Sequence, residues 1–166
     1  MDFSDLLARG SVWSPTRELA EEAAAQLRAV GGTRVVTTSP GYRELDVENR
    51  RATWHMENWY RPIRAWYEDT ATDVRYQTET GPDAMVLEVG LLNYEWNTAN
   101  LSIQVMLRLV DAETGQLIGR TRRWKVQKVG RATDVLTPDN ARLKTEFTQI
   151  TRPLVAEALK DLGLTP

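Results

Sequence analysis

The chain contains no cysteine and a single histidine among its 166 residues. The first absence excludes disulfides, thiol nucleophiles and zinc–cysteine centres, while leaving the compartment open. The second leaves His55 as the sole imidazole. A metal site there would need neighbouring ligands, and Glu57, at i+2, points away on a helix. No serine stands in a motif that would use His55 as a base, so it reads as a structural or surface residue. Also missing are a glycine-rich phosphate loop, an HExxH sequence and a GxSxG elbow. Glu88 and Glu95 fall on opposite faces of a regular strand, which gives a paired-carboxylate hydrolase no support. No catalytic residue, metal ligand or cofactor is therefore expected, and the chain reads as a non-enzyme. An apolar run of about 18 residues and a signal peptide are absent too, so a soluble domain is expected. The formal net charge of −2 argues against a general polyanion binder, and no nucleic acid is expected as a partner.

What is present is a run of strands from Pro82 to Lys128. Ala84 to Trp96 is rich in β-branched, aromatic and apolar residues and follows the turn cluster Gly81-Pro82-Asp83. Leu101, Ile103, Val105, Leu107 and Leu109 then alternate with Ser102, Gln104, Met106 and Arg108, a period-2 pattern that predicts a buried leucine side and a mostly wet opposite side. Asn97 to Asn100 joins these two strands, and Asp111-Ala112-Glu113-Thr114-Gly115 leads into a third from Gln116 to Lys128. Asp111 can bond the backbone two residues on, and Gly115 can take a positive φ. Short loops make antiparallel neighbours, so these three strands predict a meander.

Helices flank this sheet. Ser14-Pro15 supplies a cap and a proline at the first helical position, and Leu19, Ala23, Leu27 and Val30 form the stripe of a helix over 16–30. Gly31-Gly32 ends it, and Arg34 to Thr38 follows as a strand, making an αβ unit. Thr137-Pro138-Asp139 caps a long C-terminal helix on which Leu143, Phe147, Ile150, Leu154 and Ala158 share a face, widened by Val155, Leu159 and Leu162. Pro153 should kink it and Gly163 should stop it. The fold class is α+β: a mostly antiparallel sheet with helices packed on it. Residues 1–13 form an N-terminal arm and 14–166 a single domain, long enough to bury roughly two thirds of its unfolded surface.

Two stretches carry binding potential. Asp46 caps a helix from Val47 to about Tyr60, which Pro62 breaks. From Val47 to Tyr67 the chain carries Trp54, Trp59, Tyr60, Trp66 and Tyr67 among Arg50, Arg51, Arg61 and Arg64. Trp, Tyr and Arg are the residue types enriched at binding hot spots, so these aromatics are candidate contacts. The competing reading is a helix whose aromatics cover the sheet while its arginines stay in water. The third strand carries Arg120, Arg122, Arg123, Lys125 and Lys128 around Trp124, a further candidate contact. Positions 120, 122 and 128 share one side and 123 and 125 the other, so an edge or subunit-contact strand fits better than a flat basic face.

The order helix, double glycine, strand (Glu18 to Thr38), then Gly81-Pro82-Asp83-Ala84 into a strand, then Leu107-Arg108-Leu109-Val110-Asp111-Ala112-Glu113-Thr114-Gly115-Gln116-Leu117, resembles a group of bacterial envelope lipoproteins. That group includes the curli secretion lipoprotein, the outer-membrane activators of penicillin-binding proteins and the N-terminal domain of the Tol-Pal translocation protein. The resemblance spans most of Ser14 to Leu162. It implies an α+β domain, a periplasmic life anchored to the outer membrane, and contact with other envelope proteins or with further copies of itself. It also implies a lipid-bearing cysteine upstream, the sole link to a membrane. No catalytic residues come with it. The alternatives are a small-ligand or glycan-binding module using the aromatics of 54–67, and an enzyme of unknown type.

Overall fold

The alternating run from Leu101 to Leu109 becomes the middle of a sheet, because each of those five odd-numbered side chains is almost wholly buried on one face. The computed structural model describes residues 15–31, 35–38, 63–72, 76, 84–135 and 139–166. The helix expected from Val47 to Tyr60, with Trp54, His55, Trp59 and Tyr60, lies outside the described residues, as does Ser14.

Strands β1 (Val35–Thr38), β2 (Met85–Asn97), β3 (Asn100–Asp111) and β4 (Leu117–Lys128) form one sheet in the order β1-β2-β3-β4. The last three are an antiparallel meander, while β1 runs parallel to β2, pairing Val35 with Met85 and Thr38 with Glu88. The chain is thus α+β, with helix α1 (Pro15–Ala29), a single turn of helix α2 (Ala132–Val135) and the long helix α3 (Ala141–Asp161). The turn between β2 and β3 narrows to Thr98-Ala99, with Thr98 at φ 58. In the β3–β4 hairpin the Asp111 carboxylate accepts from the Glu113 and Thr114 N–H groups at 3.1 and 2.7 Å, and Gly115 sits at φ 72. A Cβ on Gly115 would lie 2.8 Å from the Thr72 carbonyl oxygen, so this glycine permits both the turn and a close backbone approach.

Both long helices cover the face that carries Leu101 to Leu109. Leu19, Ala20, Ala23 and Leu27 of α1 join Leu143, Phe147, Ile150, Leu154, Val155, Ala158 and Leu159 of α3 in one core with Leu87, Val89 and the odd-numbered β3 residues. Val30, expected on the α1 stripe, is exposed, since the helix has ended before it. Each large side chain buried here contributes about 1.5–3 kcal/mol. Differences in helix propensity are at most about 0.7 kcal/mol per ordinary residue, so the apolar stripe determines where α3 lies. The N-cap of α3 is Asn140, at φ 55 and without a side-chain cap hydrogen bond, while Asp139 Oδ1 accepts from the Ala141 N–H at 3.1 Å; Thr137 and Pro138 of the expected capping sequence lie outside the described residues. The helix is continuous through Pro153 and stops at Gly163, φ 68. At its end Asp161 accepts from Thr121 and Arg123 of β4, at 2.8 and 2.7 Å, which holds the Asp161 carboxyl below its usual range and ties the helix to the outermost strand.

The other sheet face departs from expectation. It was expected to be mostly wet, yet Met106, Arg108 and Val110 are buried, and only Ser102 and Gln104 of that row are partly open. The reason is tertiary: residues 63–72 and Tyr76 fold across it. A short helix over 63–68 lies against the sheet, and Ala71 forms an antiparallel bridge to Gln116. A small second core of Ala84, Val86, Val110 and Ala112, with Tyr76 and Leu117, sits on this face.

Candidate functional site

Two features of this second face stand out: a buried charged cluster and an exposed apolar strip. The cluster begins with register. Glu88 lies directly opposite Arg108 in the β2–β3 ladder, so their side chains rise from the same face. Arg108 Nη1 is 3.4 Å from Glu88 Oε2, and both side chains are 1% exposed. The pair is enclosed by residues 63–72 and Tyr76. Trp66 Nε1 donates to Glu88 Oε2 at 2.9 Å and the Tyr76 hydroxyl to Glu88 Oε1 at 2.7 Å. Arg108 donates back to the Trp66 carbonyl and, at 3.0 Å, to that of Ala71, with its guanidinium 5.3 Å from the Trp66 ring centre. Among the described residues Arg108 Nε has no acceptor. A buried pair of this kind holds its place only when further hydrogen bonds support both ions; Trp66, Ala71 and Tyr76 supply them to Glu88 and to both Nη atoms of Arg108.

Next to it, Arg120 of β4 donates to the Tyr67 carbonyl at 2.7 Å and lies 5.2 Å from the Tyr67 ring centre. Burial raises the Tyr67 phenol above its ordinary value, partly offset by Arg120 and Arg122. Two arginines from neighbouring strands therefore hold the backbone and rings of consecutive aromatic residues. Trp66 and Tyr67 are half-buried in this arrangement.

The Tyr76 phenol is raised above its ordinary 10.0, first by burial and then by its bond to Glu88. The folded state thus keeps a proton that the unfolded chain gives up near pH 10, so this contribution is complete below about pH 10 and is lost as the pH rises further. Urea unfolding at stepped pH should show the native protein losing stability above that point more steeply than Tyr76→Phe. Equal slopes would mean that Tyr76 does not hold its proton in the fold.

The exposed strip is on β4. Arg122, Trp124, Val126 and Lys128 pair with Met106, Gln104, Ser102 and Asn100 and so share the second face. Trp124 is 62% exposed and Val126 48%, while Trp124 Nε1 donates to Ser102 Oγ at 2.8 Å, which fixes the ring on the sheet. Arg122, Lys125 and Lys128 have no ion-pair partner among the described residues.

Of the six aromatics expected as contacts, Trp54, Trp59 and Tyr60 lie outside the described residues. Trp66 and Tyr67 come together, 6.4 Å between ring centres, and Trp124 stands apart on the strip. Sequence reasoning did not single out Glu88 and Arg108 as a pair; the one available signal was a carboxylate and a guanidinium within two adjacent strands. It also placed Glu88 and Glu95 on opposite faces. A bulge between Leu91 and Asn93 reverses the alternation, and register puts both opposite even-numbered β3 residues, Arg108 and Ser102. Seven residues of strand still separate them by roughly 20 Å, too far for a carboxylate dyad.

A shallow groove of about 240 Å³ between α1 and α3 is lined by Glu18, Glu21, Glu22, Ala25, Thr148 and Thr151, with no aromatic ring for a sugar to stack on. Among the described residues no set of three or more His, Asp or Glu side chains is placed to hold a metal ion, and no helix is long and apolar enough to cross a membrane. No protein-family model, curated protein or solved structure matches the chain.

Proposed function

We propose that this chain is a non-enzymatic domain of the periplasmic, outer-membrane-lipoprotein type, acting by contact with other envelope proteins. The observation that supports this reading is Trp124, a large aromatic held rigid in the middle of an outer strand and left open to solvent. An exposed, pre-positioned tryptophan beside cations has the composition of a binding hot spot, and it loses little conformational entropy on binding. The Glu88–Arg108 cluster serves this role as scaffold: its hydrogen bonds are spent on holding residues 63–72 and Tyr76 against the sheet.

Trp124→Ala should leave urea unfolding within about 0.5 kcal/mol of the native protein, as expected for an exposed side chain. The same change should weaken partner binding by about 2 kcal/mol, roughly thirtyfold. To find the partner, a photoreactive residue at position 124 is crosslinked in cells expressing the gene from its natural start, with position 113 as control. The expected result is a discrete adduct in the envelope fraction from 124 alone. A protein that fractionates with the cytosol, or no adduct from 124, would overturn the reading.

A further inference from the structure

The protein-contact reading leaves the chemistry of the partner open, and β4 narrows it. Resting on that reading, we propose that β4 receives an acidic, extended polypeptide segment by strand addition, with apolar side chains of the incoming strand over Trp124 and Val126. Among the described residues β4 is the last strand of the sheet, and from Gly119 to Lys128 its backbone pairs with no further strand. Its first residues already show the mode. The Leu117 N–H donates to the Thr70 carbonyl at 2.9 Å, and Ala71 bridges Gln116 in antiparallel sense, so a stretch of extended chain occupies this edge and then leaves it. The remaining edge offers the same backbone groups to an incoming strand.

Charge decides between occupants. Leu117–Lys128 contains five cations and no carboxylate. Arg120 is held by Tyr67 and Arg123 by Asp161, which leaves Arg122, Lys125 and Lys128. Antiparallel pairing of β4 with β4 of a second copy would set cations against cations, a destabilising arrangement, so the strand rejects its own kind. An acidic strand is attracted instead. Alternation then assigns the partner's pattern: positions opposite Trp124 and Val126 are apolar, and the position opposite Lys125, on the other face, is acidic, as are those opposite Arg122 and Lys128.

The test titrates the full chain with the capped peptide Glu-Thr-Val-Glu-Val-Thr-Glu, which paired antiparallel sets valine opposite Trp124 and Val126 and glutamate opposite Arg122, Lys125 and Lys128, followed by residue-resolved amide exchange. The expected result is slowed exchange at alternate residues between 119 and 128, with about tenfold weaker binding when lysine replaces glutamate. Lys125→Glu combined with Lys128→Glu, both exposed, should reverse that preference while leaving the melting temperature unchanged. Equal binding of both peptides, protection elsewhere, or a protein dimer in sedimentation would overturn the proposal. If position 124 crosslinks to an envelope protein but β4 amides gain no protection in that complex, strand addition fails and the protein-contact reading stands. If neither occurs, both fail.

Discussion

Arg108→Ala is expected to destabilise the domain by about 3–5 kcal/mol, because it leaves Glu88 charged, buried and without its cation. Against a total stability of about 5–15 kcal/mol for a domain, this is a large share. The loss has two parts. Glu88 keeps the donors of Trp66 and Tyr76 but loses the only cation within reach among the described residues. The carbonyls of Trp66 and Ala71 also lose their donor, which loosens residues 63–72 from the sheet. Adding Glu88→Gln to the variant should restore part of the loss, since the buried charge is gone while a polar group remains for Tyr76 and Trp66. Urea denaturation of the native protein, both single variants and the double variant measures this directly. A cost under about 1 kcal/mol for Arg108→Ala would mean that the pair is solvated and the described cover is wrong.

Trp66→Ala is expected to cost about 3 kcal/mol, at the lower end of the range for buried aromatics because the ring is only half-buried. It removes the indole donor to Glu88 and the ring beneath the Arg108 guanidinium together. Because both changes act on one cluster, Trp66→Ala and Arg108→Ala should not add; the double variant should fall short of their sum by about 1 kcal/mol or more. Unfolding curves for the four proteins supply the cycle. This experiment also separates the two readings of the aromatic segment. A folded Trp66→Ala protein of native stability that no longer binds its partner would make Trp66 a contact residue. Lost stability with partner binding retained once the protein is folded would make it part of the structure, leaving Trp124 as the contact.

Much of the fold was legible because its signals are local. The period-2 leucines of β3 and the Asp111–Gly115 turn each follow from a few adjacent residues, and the meander follows from their short spacing. The stripe from Leu143 to Ala158 was readable for the same reason, its period being that of a helix. Four points were not legible. The parallel pairing of β1 with β2 joins residues 50 positions apart, as Val35 with Met85, and no local pattern encodes a distant neighbour. The bulge near Leu92 follows a continuous apolar run in which one residue looks like the next. Burial of Met106 and Arg108 depends on a segment some 40 residues upstream, as the Arg108–Trp66 contact shows. Helix α2 is one turn long, below the length at which periodicity can be seen.

The candidate site divides in the same way. Trp124 on a basic outer strand could be proposed from sequence, because alternation and charge are visible there and the outermost strand of a meander is open unless something covers it. The Glu88–Arg108 cluster could not, because an arginine on the polar side of an alternating strand reads as solvated until the chain is folded. Composition and spacing by themselves determined the class, the meander and the helix stripes, since those rest on periodicities the residues carry with them. Tertiary structure alone decided which face of the sheet is closed and which strip stays open. That choice depends on whether residues 63–72 and Tyr76 find on the sheet a buried ion pair to which they can hydrogen-bond, and this pairing exists only once β2 and β3 are in register.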